Sequence, residues 1–303
     1  MTVRGVVPPV VTPLKEDGSF DRVSFDRNAK RMLDAGVHGL FVMGSSGEVA
    51  FSTDERRDEV TRAALEVADG APVLVGAIDT QTARVIDHAL RAQALGADGI
   101  VVTAPFYGLG GAPQVERHFR VIADAIDVPL WAYDLPVSVH TKLEAPMLIQ
   151  LGVEGVLAGV KDSSGDDVFF RRLIMGNRDV GSPLTLLTGH EIVVDGAYLA
   201  GADGSVPGLA NVAPKGYVRM WDAYQAGDWD AVRAEQERLV RIMDITSVVS
   251  GVTGFGAGVG AFKTALMLLG VFETNQMPEP VPTLEGENVE AIKRVLVEAG
   301  LLD

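Results

Sequence analysis

A lysine directly after a short apolar run is the residue of this chain whose type and position best suit covalent chemistry. Lys161 follows the segment 156–160 (Val-Leu-Ala-Gly-Val), which reads as a fully buried strand. At the end of such a strand the ammonium group loses hydration, so the neutral amine becomes accessible. A neutral amine in a pocket attacks carbonyl carbon, as the lysine of Schiff-base enzymes does. The residue alone leaves a second interpretation open, a lysine that reaches solvent or pairs with Asp162.

Two further strand ends carry groups that would assist such a lysine. Tyr133 ends the preceding strand candidate, and since neighbouring strands lie about 4.8 Å apart, the phenol and the amine could face each other. A phenol can carry protons as a carbinolamine loses water. The turn 44–47 (Gly-Ser-Ser-Gly) offers backbone N–H groups and two hydroxyls to a carboxylate. Each feature alone has an ordinary explanation, a core tyrosine or a connecting turn, but their combination favours an active site.

The elements that must position these residues alternate along the chain to about residue 225. Short apolar runs predict strands at 5–11, 39–43, 73–76, 99–103, 130–133, 156–161, 185–188 and 204–206. Amphipathic segments predict helices around 22–36, 54–69, 80–95, 113–126, 143–151, 165–177, 190–200 and 214–225. In 34–40, 94–100 and 199–205 a helix ends at glycine and a strand follows.

Eight such units are the count of an α/β fold, the (β/α)₈ TIM barrel, whose active sites lie at the carboxyl ends of the strands. A doubly wound open sheet is the alternative, but it usually has fewer strands and a phosphate loop that is missing after the first strand candidate. We therefore expect residues 1–225 to form a barrel that carries the active site. Residues 226–303 are expected to form a C-terminal helical appendage, with helices around 228–249, 259–270 and 287–300.

Composition limits the partners and the location of the protein. The net charge of −15 argues against nucleic acid or an anionic membrane surface as a partner. There is no cysteine, which excludes disulfides and thiol catalysis. We find neither a signal peptide at the start nor an apolar stretch of the roughly 18 residues that a membrane helix needs. A cytoplasmic protein with a small-molecule substrate is the expectation.

Several other motifs do not indicate a function. The five histidines lack metal-ligand spacing, so we expect no metal and no cofactor. The glycine-rich segment 256–261 follows a helix-like segment rather than a strand, so we expect a flexible loop before a helix at 261–270 instead of a dinucleotide site. Asp134 and Asp162 flank the site and could tune Lys161, but solvated acids are more common at strand ends. Asp17 and the pair 166–167 are expected to be helix caps and surface charge.

Five motifs together resemble the dihydrodipicolinate synthase/N-acetylneuraminate lyase family over the whole chain, in order and with matching spacing. They are GSSGE (44–48), APFY (104–107), YDLP (133–136), GVKDSSGD (159–166) and GADGSVPGLANVAP (201–214). The resemblance implies a class I aldolase or lyase on a (β/α)₈ barrel with a C-terminal helical region, generally a homotetramer.

The resemblance also implies roles for single residues. Lys161 resembles the Schiff-base lysine for pyruvate or a pyruvyl substrate, and Tyr133 resembles the general acid/base. Ser45 and Tyr107 stand where the family has its proton relay, with Tyr107 contributed by a neighbouring subunit. Ser46 occupies the position that grips the pyruvyl carboxylate.

Other positions bear on the substrate pocket. Gly189 and Val206 fall where the family has its pocket wall. The family usually carries threonines where the turn 44–47 has its two serines, which keep the hydroxyl groups. True dihydrodipicolinate synthases resemble YNxPxR, whose arginine takes a distal carboxylate, whereas Ser138 stands at that position here. Ser138 and His140 could hydrogen-bond substrate hydroxyls, and the alternative is that both only complete a loop.

These observations predict a Schiff-base aldolase that reversibly cleaves a 2-keto-3-deoxy sugar acid into pyruvate and an aldehyde. Dihydrodipicolinate synthase with another carboxylate anchor and a keto-deoxy sugar acid dehydratase are alternatives on the same scaffold. A non-catalytic sensor of keto acids is the alternative from another class, which the combination of lysine, tyrosine and relay hydroxyls disfavours.

Overall fold

Eight parallel strands form the centre of the fold in a computed structural model, which describes residues 3–302. They are β1 (Gly5–Val6), β2 (Leu40–Val42), β3 (Val73–Gly76), β4 (Gly99–Thr103), β5 (Leu130–Asp134), β6 (Gly159–Asp162), β7 (Thr185–Thr188) and β8 (Gly204–Ser205). From β2 to β8 each strand pairs with the next one along the chain, and β8 pairs with β1. The residues directly after β1 close the ring, because Val10 N–H donates to the Phe41 carbonyl at 2.8 Å and Phe41 N–H donates to Pro8 at 2.9 Å. This arrangement confirms the predicted (β/α)₈ TIM barrel.

Twelve α-helices connect and cover these strands within residues 3–302. The helices of the barrel part are α1 (Arg22–Asp34), α2 (Asp54–Val67), α3 (Thr82–Leu95), α4 (Ala112–Ala123), α5 (Pro136–Val139), α6 (Ala145–Val153), α7 (Asp167–Asp179), α8 (Val194–Ala200) and α9 (Pro214–Ala226). The later ones are α10 (Trp229–Ser247), α11 (Phe255–Leu268) and α12 (Glu287–Glu298). No helix of residues 3–302 is both long and apolar enough to cross a membrane.

Two strands depart by three residues or more from the bounds that the apolar runs predict. β1 ends at Val6 because Pro8 and Pro9 follow and have no N–H to donate to a neighbouring strand. β6 begins at Gly159 rather than at Val156, because the N–H groups of residues 156 and 157 both donate to the Leu151 carbonyl at the end of α6. The first part of the apolar run before Lys161 is therefore the end of a helix-to-strand connection.

Glycines end the helices at the three connections that the sequence indicates. Gly36, Gly96 and Gly201 have φ values of 94°, 106° and 101°, a left-handed conformation that glycine adopts without strain. The chain reverses there and enters the next strand, so these turns fix the point at which each strand begins.

The glycine-rich segment 256–261 is helical and lies within α11, so the expectation of a flexible loop is wrong. The glycines permit close packing: a Cβ on Gly256 would lie 3.0 Å from Val281 Cγ1, and one on Gly260 would lie 3.3 Å from Leu284 Cγ. Because these contacts come from distant segments, the local composition alone favours a loop. The division of the chain at residues 225 and 226 stays a prediction.

Candidate active site

Tyr133 and Lys161 are opposite each other in the register of β5 and β6. Both side chains are buried, with exposed fractions of 3% and 6%. The Lys161 Nζ atom lies 3.5 Å from the centroid of the Tyr133 ring and 5.5 Å from that of Phe41. An ammonium group over two ring faces is stabilised by their negative quadrupoles. The geometry places a nucleophilic amine and a phenol in one enclosed space.

The phenol of Tyr133 is connected to the turn after β2. Its oxygen lies 3.3 Å from the Ser45 Oγ atom, and either group can donate. Burial alone would raise the pKa of the Tyr133 phenol, but the nearby charge of Lys161 and hydrogen bonding at the phenol oxygen outweigh it and lower the pKa. A phenol with a lowered pKa and a hydroxyl partner can pass a proton between bound substrate and Ser45.

The turn that contains Ser45 and Ser46 is fixed by a hydrogen bond and by close backbone packing at Gly47. The Thr12 hydroxyl donates to the Gly47 carbonyl at 2.8 Å. A Cβ on Gly47 would lie 2.9 Å from the Met43 backbone nitrogen, so this position requires glycine. Ser45 and Ser46 are partly exposed while the residues on both sides of them are buried. The two hydroxyls are therefore presented from a rigid base.

Gly189 and Val206 lie at the ends of the next two strands. The Gly189 N–H donates to the Asp162 carbonyl at 2.6 Å, and the Val206 N–H donates to the Thr188 carbonyl at 2.7 Å. A Cβ on Gly189 would lie 2.1 Å from the Ser163 Oγ atom, which leaves no room for a side chain. Gly189 thus flanks the strand that carries Lys161 on the side away from Tyr133, and Val206 lies one strand further on.

Two of the residues singled out by sequence lie apart from this cluster. The Tyr107 side chain is 96% exposed, and its φ of 70° is in the left-handed region. His140 is exposed after α5, whereas Ser138 lines a cavity of about 210 Å³ beside Ser45. That cavity is mainly apolar, with walls from Phe51, Phe106, Leu135 and Phe255.

Glu191 is a further charged group near the amine that sequence analysis did not single out. Its Oε2 atom accepts from the Leu209 N–H at 2.7 Å. Burial raises the pKa of this carboxyl to about 7, although the charge of Lys161 acts in the opposite direction. Its place three residues after the end of β7 could have indicated Glu191, since the strand ends carry the active site in this fold.

Asp134 and Asp162 are buried, so the expectation of solvated acids is wrong. Their exposed fractions are 0% and 3%. Asp134 accepts from the Leu143 N–H at 3.2 Å and forms an ion pair with Lys142. Asp162 accepts from the Ser164 N–H at 3.1 Å, and burial raises its pKa to about 6.

One group of side chains could hold a metal ion by distance alone. Ligand atoms of Asp54, Asp87 and His88 lie within 4.8 Å of one another on α2 and α3. His88 is already engaged, with its Nε2 atom 3.1 Å from Asp79, and Arg91 lies 3.9 Å from Asp54. These partners occupy the group as an ion-pair network, and it carries no step of the chemistry at Lys161.

The sequence and the structure of this chain are both similar to those of one known protein family. Residues 2–299 match the family described as the dihydrodipicolinate synthetase family. A protein of Halobacterium salinarum named "Uncharacterized DapA-like lyase" is 35% identical over 302 residues, which cover 99% of this chain and 95% of that protein. A 4-hydroxy-tetrahydrodipicolinate synthase of Phenylobacterium zucineum is 33% identical over 242 residues, covering 79% and 80%.

Several solved structures with the same fold have more than 25% identity to this chain. YagE from Escherichia coli K12, a prophage protein of the dihydrodipicolinic acid synthase family solved in complex with pyruvate, has a TM-score of 0.92 at 27% identity. The alignment covers 98% of this chain and 99% of YagE. Dihydrodipicolinate synthase from Thermotoga maritima also has a TM-score of 0.92, at 26% identity and with complete coverage of both chains.

Proposed function

Because this chain belongs to the dihydrodipicolinate synthetase family and is a class I Schiff-base lyase, we propose that Lys161 forms the imine, with pyruvate or another 2-keto acid. The observation that carries the proposal is the position of the Lys161 Nζ atom, 3.5 Å from the Tyr133 ring centroid, with the Tyr133 hydroxyl 3.3 Å from Ser45. Nucleophile, proton carrier and relay hydroxyl thus lie in one buried group, as covalent catalysis requires.

The proposed reaction begins with attack of the neutral Lys161 amine on the C2 carbonyl. Tyr133 gives a proton to the carbinolamine oxygen, water leaves, and the protonated imine forms. Ser45 returns a proton to the phenolate. The Tyr133–Ser45 pair, now one proton short, takes the proton of the C4 hydroxyl as the C3–C4 bond breaks; the electron pair of that bond moves onto the imine to give an enamine, and the aldehyde leaves. The pair then returns the proton to C3, and water hydrolyses the imine to release pyruvate and the Lys161 amine. Through these steps the N–H groups of the turn 44–47 and the Ser46 hydroxyl hold the carboxylate of the keto acid.

For the substrate we propose a 2-keto-3-deoxy sugar acid, cleaved reversibly to pyruvate and an aldehyde. Ser138 rather than an arginine lines the cavity next to Ser45, and within residues 3–302 the lining of that cavity includes no guanidinium group. A second carboxylate on the aldehyde part would lack a cationic partner there. The Glu191 carboxylate on the other side of Lys161 would repel an acid but accept hydrogen bonds from hydroxyls.

A second candidate function is 4-hydroxy-tetrahydrodipicolinate synthase, which is favoured by the names of curated relatives at 28–33% identity. A dehydratase of a keto-deoxy sugar acid would use the same imine without releasing pyruvate. The three enzymes are separated by incubating the protein with 2-keto-3-deoxy sugar acids and with pyruvate plus aspartate semialdehyde. Pyruvate release from a sugar acid supports the aldolase, and consumption of both pyruvate and semialdehyde supports the synthase.

The imine itself is tested by intact-mass spectrometry after incubation with pyruvate and borohydride. We expect one reduced pyruvyl adduct on the parent protein and none on the Lys161→Ala variant. An unmodified parent would contradict the mechanism and favour a keto-acid sensor.

The proposal also includes a cytoplasmic location and a homotetramer in which Tyr107 reaches a neighbouring site. The 96% exposure of this side chain in the single chain supports such a contact.

A further inference from the structure

A fully buried ion pair connects helix α11, in the C-terminal region, to the turn after β2. The Lys263 Nζ atom lies 2.7 Å from Glu48 Oε1, and the exposed fractions of the two side chains are 0% and 2%. Glu48 is the residue directly after the turn 44–47, on which the two relay and carboxylate hydroxyls stand. Glu48 also lines the cavity beside Ser45 and Ser138, whereas Lys263 lies behind it, and neither residue belongs to the imine machinery.

This pair is poorly explained as a source of stability. The free energy lost when two charges are removed from water is often larger than the free energy gained from their attraction. Replacing a buried ion pair by apolar residues is therefore often neutral or stabilising. In this protein burial raises the pKa of Glu48 and lowers that of Lys263, and the opposite charge of the partner offsets only part of each effect. Both groups thus bear a desolvation cost. Positioning of the neighbouring turn 44–47 explains the pair better than a gain in stability does.

The backbone of Glu48 has an unfavourable conformation that closes the turn 44–47. Its φ of 60° lies in the left-handed region, which is uncommon for a residue with a Cβ atom. Its N–H donates to the Ser45 carbonyl at 3.0 Å, and the Val49 N–H donates to the Gly44 carbonyl at 3.3 Å. These two bonds close the turn, so the orientation of Glu48 sets the direction of the N–H groups and hydroxyls before it.

Lys263 is anchored so that it can fix Glu48. Its ammonium also donates to the Gln276 carbonyl at 2.8 Å, which ties it to the segment after α11. The same helix makes a second contact with the residues after the turn, because the rings of Phe255 and Phe51 lie 5.2 Å apart. Helix α11 therefore holds the region after β2 at two points.

We propose that Lys263, acting through Glu48, is a positioning residue that orients the turn 44–47 for the carboxylate of the keto acid. The inference rests on the proposed function, since it assigns a role within that site. It gives the C-terminal helices a part in substrate binding that the strand ends alone do not indicate. It also predicts that loss of the ion pair weakens the binding of ketones that carry a carboxylate and leaves the binding of other ketones unchanged.

The test compares pyruvate with hydroxyacetone, a ketone without a carboxylate, in borohydride trapping followed by intact-mass spectrometry. Lys263→Met alone leaves a buried unpaired acid and is expected to be destabilised. The double variant Lys263→Met/Glu48→Gln removes both charges and keeps the shapes. For this variant we expect the half-saturating pyruvate concentration to rise about tenfold, which corresponds to about 1.4 kcal/mol. For hydroxyacetone we expect a change below about twofold, the range of a negligible binding effect.

The matched control is Lys142→Met, because Lys142 also pairs with a buried acid, Asp134, but away from the turn 44–47. We expect this variant to lose stability without changing the ratio between pyruvate and hydroxyacetone. Equal effects on both ketones in the double variant, or no effect on either while circular dichroism shows a folded protein, would overturn the inference. If the parent is trapped by neither ketone, it is the proposed Schiff-base function that fails first.

Discussion

Asp134 and Asp162 are partners in the register of β5 and β6, one position beyond the partners Tyr133 and Lys161. Since successive side chains of a strand point to opposite faces, the two acids lie on the outer face of the barrel and the phenol and amine lie inside. The outer face is covered, so both acids are buried, with the Lys142 side chain partly exposed above Asp134. The same two strands thus position the site and carry two buried acids behind it, of which Asp134 is paired with Lys142 and Asp162 bears the larger cost of burial.

This arrangement predicts that Asp162→Asn stabilises the protein at neutral and higher pH. Burial raises the pKa of Asp162 from 3.8 to about 6. Below about pH 4 the acid is protonated in both the folded and the unfolded protein, so its burial then carries no cost of ionisation. As the pH rises through about 6 the buried acid must ionise, and this part of the folding free energy is lost. At pH 8 we expect the variant to be more stable by on the order of 2 kcal/mol.

The measurement is urea unfolding of parent and variant at pH 4.5 and pH 8. The asparagine oxygen can still accept from the Ser164 N–H, so the local hydrogen bond is kept. A difference in unfolding free energy that is the same at both pH values would show that ionisation of Asp162 is not its cause.

Replacing Tyr133 by phenylalanine removes the proton carrier and keeps the ring against Lys161. We expect imine formation and turnover to slow by about 10²–10⁴-fold, the usual contribution of a general acid/base. Rates of borohydride trapping and of aldol cleavage measure the two steps. Ser45→Ala serves as comparison, because it removes the partner of the phenol but not the phenol itself, and a smaller loss is expected. Trapping at the parent rate in Tyr133→Phe would assign proton transfer to another group.

The strand ends of the site could be found from the sequence because they depend on local patterns. An apolar run followed by Lys161, a second run followed by Tyr133 and a glycine-serine turn each occur within a few consecutive residues. The repeated helix–glycine–strand plan then gives the barrel, which brings the strand ends together without any knowledge of side-chain contacts. Even the small deviations, such as the late start of β6, do not move Lys161 away from its strand.

What the sequence did not indicate depends on contacts between distant segments. The burial of Asp134 requires Lys142 and Leu143 to fold over it, and the helical state of residues 256–261 requires Leu284 to pack on Gly260. The ion pair of Glu48 with Lys263 joins the second strand end to a C-terminal helix. No periodicity within a short window contains these relations, so they appear only in the folded chain.

Glu191→Gln tests whether this carboxyl binds hydroxyl groups of the substrate. An ionised carboxylate accepts hydrogen bonds about twice as strongly as a neutral group, and the pKa of Glu191 is raised to about 7. We therefore expect the KM for a 2-keto-3-deoxy sugar acid to rise about tenfold at pH 8 in the variant, with a smaller ratio at pH 6. Steady-state kinetics at both pH values measure this.

Pyruvate is the control ligand for Glu191→Gln, because it has no hydroxyl groups to bind. Its half-saturating concentration in borohydride trapping should stay within about twofold of the parent value, a negligible difference in binding free energy. An equal rise for pyruvate and the sugar acid would show that Glu191 acts on the amine of Lys161 rather than on the aldehyde part.

The exposed Tyr107 can be assigned to its own or a neighbouring site by complementation between two inactive variants. Lys161→Ala lacks the nucleophile but keeps Tyr107, and Tyr107→Phe lacks the phenol but keeps Lys161. If Tyr107 acts in a neighbouring subunit, mixed oligomers contain sites in which Lys161 from one variant meets the phenol from the other. We then expect co-refolded mixtures to regain aldolase activity that neither variant shows alone. If the phenol acts within its own chain, a mixed oligomer contains no complete site, and activity stays at the level of the separate variants whatever the mixing ratio.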